Sequence, residues 1–304
     1  MSRIRLTILG TTAGVPTEKR AHAAIHISYN DEEEFCCLFD CGENAQRQLI
    51  IAHLSMMKIN DIFLTHWHGD HCLGLPGIID TMGFEGRKTP LTVYAPEAQR
   101  VKKALTFSHS MGKFKVVPHG VPTRGWGRRK LLDTERFNII STPAKHSMPA
   151  VSYALIEKDK ISIDLRKAIS LGLPERSELY AKLKKKGKIR LNKKSITLKD
   201  ISTVKKGKKI VYSGDTEICR NLRKLVRGAD LLVQDCTYFD EQGPDRPYRH
   251  ASLPEIIEMA EKENVKRVIL THISRKFPDT DQLKTLIADR PDFEVAEDFM
   301  KIVI

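Results

Sequence analysis

The chain has 304 residues, 41% of them hydrophobic, and a formal net charge of +13. That length suits one large α/β domain or two smaller ones. No stretch approaches the ~20 consecutive apolar residues of a membrane span. The start, Met1-Ser2-Arg3-Ile4-Arg5, runs straight into strand-like alternation without the apolar core of a signal peptide, so a cytoplasmic protein without a membrane partner is expected.

The charge is concentrated. Residues 182–209 hold thirteen Lys or Arg against one acid, Asp200, which gives +12 there and leaves the remainder near neutral. A run of this kind favours a polyanionic partner. The six cysteines, Cys36, Cys37, Cys41, Cys72, Cys219 and Cys236, form no repeated C-x-x-C pattern and read as reduced, small, buried residues.

Taken in order, Ile4 to Ile8 alternates with period two and reads as a strand ending in the turn Gly10-Thr11-Thr12-Ala13-Gly14. No Gly-Lys-Ser/Thr follows, so the turn is not a P-loop. Strands follow at 23–29 and 35–39, separated by an acidic turn at 31–34. Asp40-Cys41-Gly42-Glu43 opens an amphipathic helix to about Leu54. The apolar run Ile62-Phe63-Leu64 is a buried strand that delivers Thr65-His66-Trp67-His68-Gly69-Asp70-His71 to a surface loop. Gly74-Leu75-Pro76-Gly77 comes next, then a strand at 91–94 and a helix at 96–107.

Residues 120–130 have loop composition, with Gly125, Trp126, Gly127 and the basic Arg124, Arg128, Arg129 and Lys130. Trp126 either stacks on a base or caps the core. Strands are expected at 137–140 and 152–156, helical spacing at Leu179 and Leu183 with a stop at Gly187, and a strand at 209–212 ending in Ser213-Gly214-Asp215-Thr216. A helix to Val226 and a strand ending at Asp235 precede a helix with Pro254 in its first turn and Ser252 as N-cap. The strand 267–270 ends in Thr271-His272, a helix lies at 281–289, and the chain closes on a strand at 293–296. About a dozen strands interleaved with helices suggest two sheets packed face to face with helices outside.

The chemistry starts from the H-x-H-x-D-H pattern. Imidazole and carboxylate together suit divalent transition metals, zinc above all. One tetrahedral ion takes at most four donors, so two metals are expected. His146, Asp215 and His272 also follow apolar strands by a few residues, and together they complete a two-metal set. The simplest partition gives His66, His68 and His146 to one ion and Asp70, His71 and His272 to the other, with Asp215 bridging. Two such ions hold a hydroxide between them and neutralise charge on a phosphoryl oxygen, which fits a phosphodiester substrate; a carboxylic ester or lactam is also chemically open.

These residues resemble the metallo-β-lactamase fold and, within it, ribonuclease Z, the zinc endonuclease that trims precursor tRNA 3′ ends. The matching stretches are Leu9-Gly10-Thr11, Phe39-Asp40-Cys41-Gly42-Glu43, the 65–71 motif, Gly74-Leu75-Pro76-Gly77, His146, Tyr212-Ser213-Gly214-Asp215-Thr216, Thr271-His272-Ile273-Ser274 and Ala296-Glu297-Asp298-Phe299. The resemblance implies an α/β fold, an αββα sandwich with a basic protruding arm, over a single domain 1–304. It implies two Zn2+ per subunit and cleavage after the discriminator nucleotide that leaves a 3′-hydroxyl. It also implies a proton donor at His250 oriented by Asp235, with Asp70 a proton acceptor as well as a ligand. The family's arm grips the tRNA body from between the third and fourth metal motifs. Here that is 160–208, where Lys182, Lys184, Lys185, Lys186, Lys188 and Arg190 are expected to meet RNA. Where other members show a Gly-Pro pair, this chain has Leu173-Pro174-Glu175-Arg176. Members are usually homodimers, one subunit's arm holding RNA cut by the other.

Overall fold

The computed structural model describes residues 3–31, 34–107, 112–191, 194–240, 249–277 and 280–304. The acidic turn expected at 31–34 therefore has Glu32 and Glu33 outside the described residues. Two compact units emerge: a large one of residues 1–134, 138–155 and 209–304, and a small one of 135–137 and 156–208.

The large unit is built on two seven-stranded sheets. The first runs, edge to edge, Lys301–Val303, Arg3–Gly10, Ala24–Asn30, Glu34–Phe39, Ile59–Phe63, Leu91–Ala95 and Val116–Gly120. Its last four strands are parallel. The second runs Phe293–Val295, Val268–Thr271, Leu231–Asp235, Lys209–Tyr212, Val151–Glu157, Phe137–Pro143 and Arg129–Asp133, and its first four strands are parallel. Each strand's period-two alternation sorts side chains between two apolar layers. Leu38, Ile62 and Val93 face a cluster formed with Leu49, Leu75, Ile78 and Met82 of helices Ala45–Ile51 and Leu75–Phe84. Their neighbours Phe39 and Phe63 face the second sheet. There Tyr153 and Tyr212 lie 5.6 and 6.1 Å from the Phe39 ring, and Phe63 stands edge-on to Phe39 at 5.5 Å. Such aromatic pairs contribute about 0.5–1.5 kcal/mol each beyond their buried area. Helices Arg220–Val226 and Leu253–Lys262 bury Leu222, Leu225 and Val226, and Ile256, Met259 and Ala260. The architecture is the α/β sandwich of the metallo-β-lactamase fold expected from the sequence.

Several expected elements differ. The helix expected from Asp40 begins only at Ala45, because Asn44 adopts left-handed backbone at φ 69°, and it ends at Ile51. The helix expected at 96–107 is Gln99–Ala104 followed by one 3-10 turn. Helix Leu75–Phe84 was not anticipated: Gly74-Leu75-Pro76-Gly77 has turn composition, yet proline is tolerated in a first helical turn, where its N–H would have no partner. Strand Arg129–Asp133 begins inside the expected loop 120–130. The chain closes not on Phe293–Val295 but on Lys301–Val303, which pairs with the first strand through Arg5 and Val303.

The small unit contains helices Leu165–Ser170 and Leu179–Lys186, the hairpin Lys188–Leu191 with Lys194–Thr197, and the antiparallel pair Lys160–Ile163 with Ser202–Lys205. Its apolar core is Ala168, Leu173, Leu183, Ile196 and Ile201. Gly187 closes the second helix at φ 73°. Asp200, the only acid among residues 182–209, is occupied by a capping box: its carboxylate accepts from the Thr197 backbone N–H at 2.7 Å and hydroxyl at 2.8 Å. Lys182, Lys185, Lys186, Lys188 and Arg190 are exposed; the side chain of Lys184 lies outside the description.

Candidate metal centre and active site

Parallel strands end side by side, so the loops leaving their carboxyl ends collect at one edge. From the first sheet come Asp40, just after Glu34–Phe39, and the 65–71 loop, just after Ile59–Phe63. From the second come His146, Asp215, Asp235 and His272. Asp40, Gly214 and His272 leave their strands in left-handed backbone, at φ 58°, 56° and 57°. At Gly214 a side chain has no room either, because an added Cβ would sit 2.7 Å from Thr65 Cγ2.

The seven residues meet. One atom each from His66, His68, His146 and Asp215 lies within 4.8 Å of the others, and Asp70, His71 and His272 form a second such group. His66 Nε2 is 3.0 Å from His68 Nδ1, which is 3.2 Å from His146 Nε2. His71 Nε2 is 3.4 Å from His272 Nε2 and 3.6 Å from Asp70 Oδ2. Asp215 stands between: Oδ1 is 3.2 Å from His71 Nε2, and Oδ2 is 3.2 Å from His272 Nε2 and 3.6 Å from His66 Nε2. Cys72 is buried and belongs to neither group.

The outward ring nitrogens explain why the inward ones present lone pairs. His71 Nδ1–H donates to Asp40 Oδ2 at 2.7 Å, His66 Nδ1 meets the Thr65 hydroxyl at 2.9 Å, and His272 Nδ1 meets the Thr237 hydroxyl at 2.9 Å. Asp40 is a hub. Fully buried, it also accepts from the Thr65 backbone N–H at 2.7 Å and from the Tyr212 hydroxyl at 2.8 Å. Partners of this kind fix the tautomer and orientation of a metal-binding histidine. Sequence reasoning gave no role to Asp40, Thr65, Thr237 or Tyr212. The available signal for Asp40 was its place directly after an apolar strand, like the other cluster residues.

Electrostatics divides the cluster. Burial holds His66 well below its ordinary pKa, lowers His68, and takes His146 to about 4, so these three imidazoles stay neutral. Burial opposes charge on His71 and His272 too, but Asp215, with Asp40, Asp70 and Asp235 around it, outweighs it and raises both, His272 to about 10. Burial likewise works against ionised Asp70 and Asp215, yet the neighbouring imidazoles hold both well below the carboxylate range. The pocket therefore favours positive charge between groups that cannot all carry protons.

The fit to divalent cations is specific. Inward nitrogens packed 3.0–3.4 Å apart repel unless a proton or a cation lies between them. Asp215 Oδ1 is buried without a hydrogen-bond partner. A buried carboxylate oxygen that makes no hydrogen bond, set among imidazoles that cannot all be protonated, is what a cation satisfies.

Beside the cluster, His250 Nδ1 donates to Asp235 Oδ2 at 2.7 Å. Asp235 is oriented by the Thr237 backbone N–H at 3.1 Å and hydroxyl at 2.7 Å. Burial disfavours its charge, but His250 outweighs that and its pKa falls to about 2. His250 responds in kind: burial lowers it, Asp235 raises it further, and the result is above the ordinary imidazole value. The helix behind is fixed by a capping box in which Ser252 and Glu255 engage each other. Asp70, Asp215, His250 and His272 border one cleft of about 830 Å³.

Comparison with known proteins gives the family and the fold. Residues 4–113 match the family described as Anti-Pycsar protein Apyc1, and residues 187–273 match the beta-lactamase superfamily domain. The ribonuclease Z of Methanococcus maripaludis is 35% identical over 98% of this chain and 99% of its own. That of Methanosarcina acetivorans is 34% identical over 99% and 98%. Among solved structures, the short form of human tRNase Z superposes with a TM-score of 0.67 at 25% identity, covering 98% of both chains. YhfI of Bacillus subtilis shares the fold, with a TM-score of 0.67 at 15% identity over 99% of this chain and 100% of that one. With full-length identity of this order to curated relatives, the chain belongs to the ribonuclease Z family and is an endoribonuclease.

Proposed function

We propose that the enzyme trims precursor tRNA, cutting the 3′ trailer after the discriminator nucleotide and leaving a 3′-hydroxyl. The observation that carries this reading is the convergence of five imidazoles and two carboxylates around an orphaned buried oxygen, beside the His250–Asp235 pair, in a chain of this family. We assign two zinc ions: one to His66, His68, His146 and Asp215, the other to Asp70, His71, His272 and Asp215. When bound, such ions act as Lewis acids that lower the pKa of water and offset charge on a phosphoryl oxygen.

The remaining work falls to the chain. Hydrolysis adds water to phosphorus and breaks the bond from phosphorus to the 3′ oxygen, which leaves needing a proton. His250, held on Asp235 through Nδ1, presents its other nitrogen as the donor. Asp235 raises its pKa above the ordinary imidazole value and stabilises the imidazolium, which favours the proton-donating form. The exposed lysines of the small unit take the tRNA body as phosphate contacts. The enzyme works as a cytoplasmic homodimer in which each small unit serves its partner's site.

The test is an end-labelled precursor tRNA incubated with purified protein, with and without chelator, alongside metal analysis and light scattering. Cleavage at the discriminator that chelator abolishes and zinc restores is expected. A zinc-loaded protein that leaves precursor intact but hydrolyses a small ester would move the reading to a small-molecule hydrolase.

A further inference from the structure

Trp126 is 73% exposed, so of its two possible fates it does not cap the core. Its loop is nevertheless fixed. Gly125 and Gly127 turn the chain at φ 94° and 104°, and the Thr142 hydroxyl donates to the Gly127 carbonyl at 3.0 Å. The Arg220 guanidinium lies 5.2 Å from the centre of the indole ring. From there helix Arg220–Val226 buries Leu222, Leu225 and Val226 and exposes Arg220 and Lys224, with Arg227 directly after it. Like charges one turn apart weaken a helix unless something neutralises them.

Two more cations are drawn to the same place. Arg128 donates to the Lys224 carbonyl at 2.6 Å, and Lys209 donates to the Arg227 carbonyl at 2.8 Å. Arg128, Lys224 and Arg227, with Thr142 and Asn221, line a hollow of about 470 Å³. Among the described residues only Arg227 of these five cations has an ion pair, with Glu263 at 2.7 Å. Burial first, then the nearby Arg128 and Arg227, push Lys209 down to about 8 against the opposing pull of Asp230.

A fixed, open aromatic face beside unneutralised cations has the composition of a single-stranded nucleic-acid site. Duplex RNA offers phosphates but no open base faces. We propose that this surface binds the unpaired 3′ trailer of the substrate, with Trp126 stacked on a base and Arg128, Arg220 and Lys224 on phosphates. The proposal rests on the precursor-tRNA reading, because the trailer is the unpaired strand joined at the scissile bond. The surface also adjoins the centre. Asn221 donates to the Pro143 carbonyl at 3.1 Å, three residues before His146, and Lys145 pairs with Glu217 at 2.6 Å, two residues after Asp215. On this proposal the trailer leaves the centre on the His146 side and runs onto this surface.

The experiment compares one precursor carrying either a single-nucleotide or a roughly ten-nucleotide trailer. Trp126→Ala is expected to raise KM about tenfold for the long trailer, the size of one lost stacking contact. It leaves the short-trailer precursor and bis(p-nitrophenyl) phosphate unchanged. Lys224→Ala lowers the salt dependence of long-trailer binding by about one phosphate contact. Equal loss on both trailers assigns the surface to the tRNA body and overturns the proposal, as does no change on either. Independently of cleavage, an unstructured oligoribonucleotide quenches indole fluorescence in the wild type and not in Trp126→Phe; absence of that difference also sinks it. A wild-type enzyme that cuts neither precursor, with quenching intact, instead removes the substrate reading.

Discussion

The ligand cluster and the small unit use charged side chains in opposite ways. In the cluster, His66, His71, His272 and His250 are each held by a further group: Thr65, Asp40, Thr237 and Asp235. In the small unit, Lys182, Lys185, Lys186, Lys188 and Arg190 project from a core of five buried residues, and the local acid is engaged in its own cap. Metal chemistry needs atoms placed to a fraction of an ångström, which is what such buttressed imidazoles provide. Attraction of a polyanion needs only a field, so long flexible cations on a modest scaffold suffice.

The contrast is sharpened most strongly at His68. His68→Ala is expected to remove bound metal and activity on every substrate together; a metal-replete, active variant breaks the ligand assignment. Next comes His250→Ala, expected to lower kcat by about 10²- to 10⁴-fold with metal content unchanged, read by single-turnover cleavage and metal analysis. Asp40→Asn tests the buttress itself. Loss of the carboxylate's charge and of one of its two acceptor oxygens should weaken metal affinity by about 10- to 100-fold in a chelator competition. Replacing Lys185, Lys186 and Lys188 with alanine should leave bis(p-nitrophenyl) phosphate hydrolysis intact while the salt slope for tRNA falls by about one per lysine. Equal loss on both substrates would show that the small unit is structural.

The smallest effect concerns stability alone. Burial takes His26, in the first sheet, down to about 4. As pH falls, the unfolded chain takes up this proton first, near 6.5. The neutral, buried His26 thus contributes its full stabilisation above that pH and loses it progressively toward 4. The difference is on the order of 2–3 kcal/mol. His26→Gln should flatten that part of the acid denaturation profile without altering metal content.

The seven cluster residues were legible because they follow apolar strands, and strand ends in a layered α/β fold share an edge. Their buttresses were not. Asp40 and Tyr212 are 172 positions apart, and their 2.8 Å contact exists only because two sheets stack. Helix Leu75–Phe84 was hidden by the turn-like composition of its first residues, and strand Lys301–Val303 by its shortness. Trp126 was legible as an alternative only: composition cannot say whether an indole turns inward, and the fold leaves it exposed.

The left-handed exits at Asp40 and His272 carry a further consequence. A non-glycine residue in that conformation costs about 1–2 kcal/mol, and the crowded lone pairs beside it add repulsion. Whatever cation relieves that repulsion becomes part of the free energy of folding, worth about 4 kcal/mol when present at a thousand times its dissociation constant. On the two-zinc reading, metal scarcity would then destabilise the polypeptide as well as idle it.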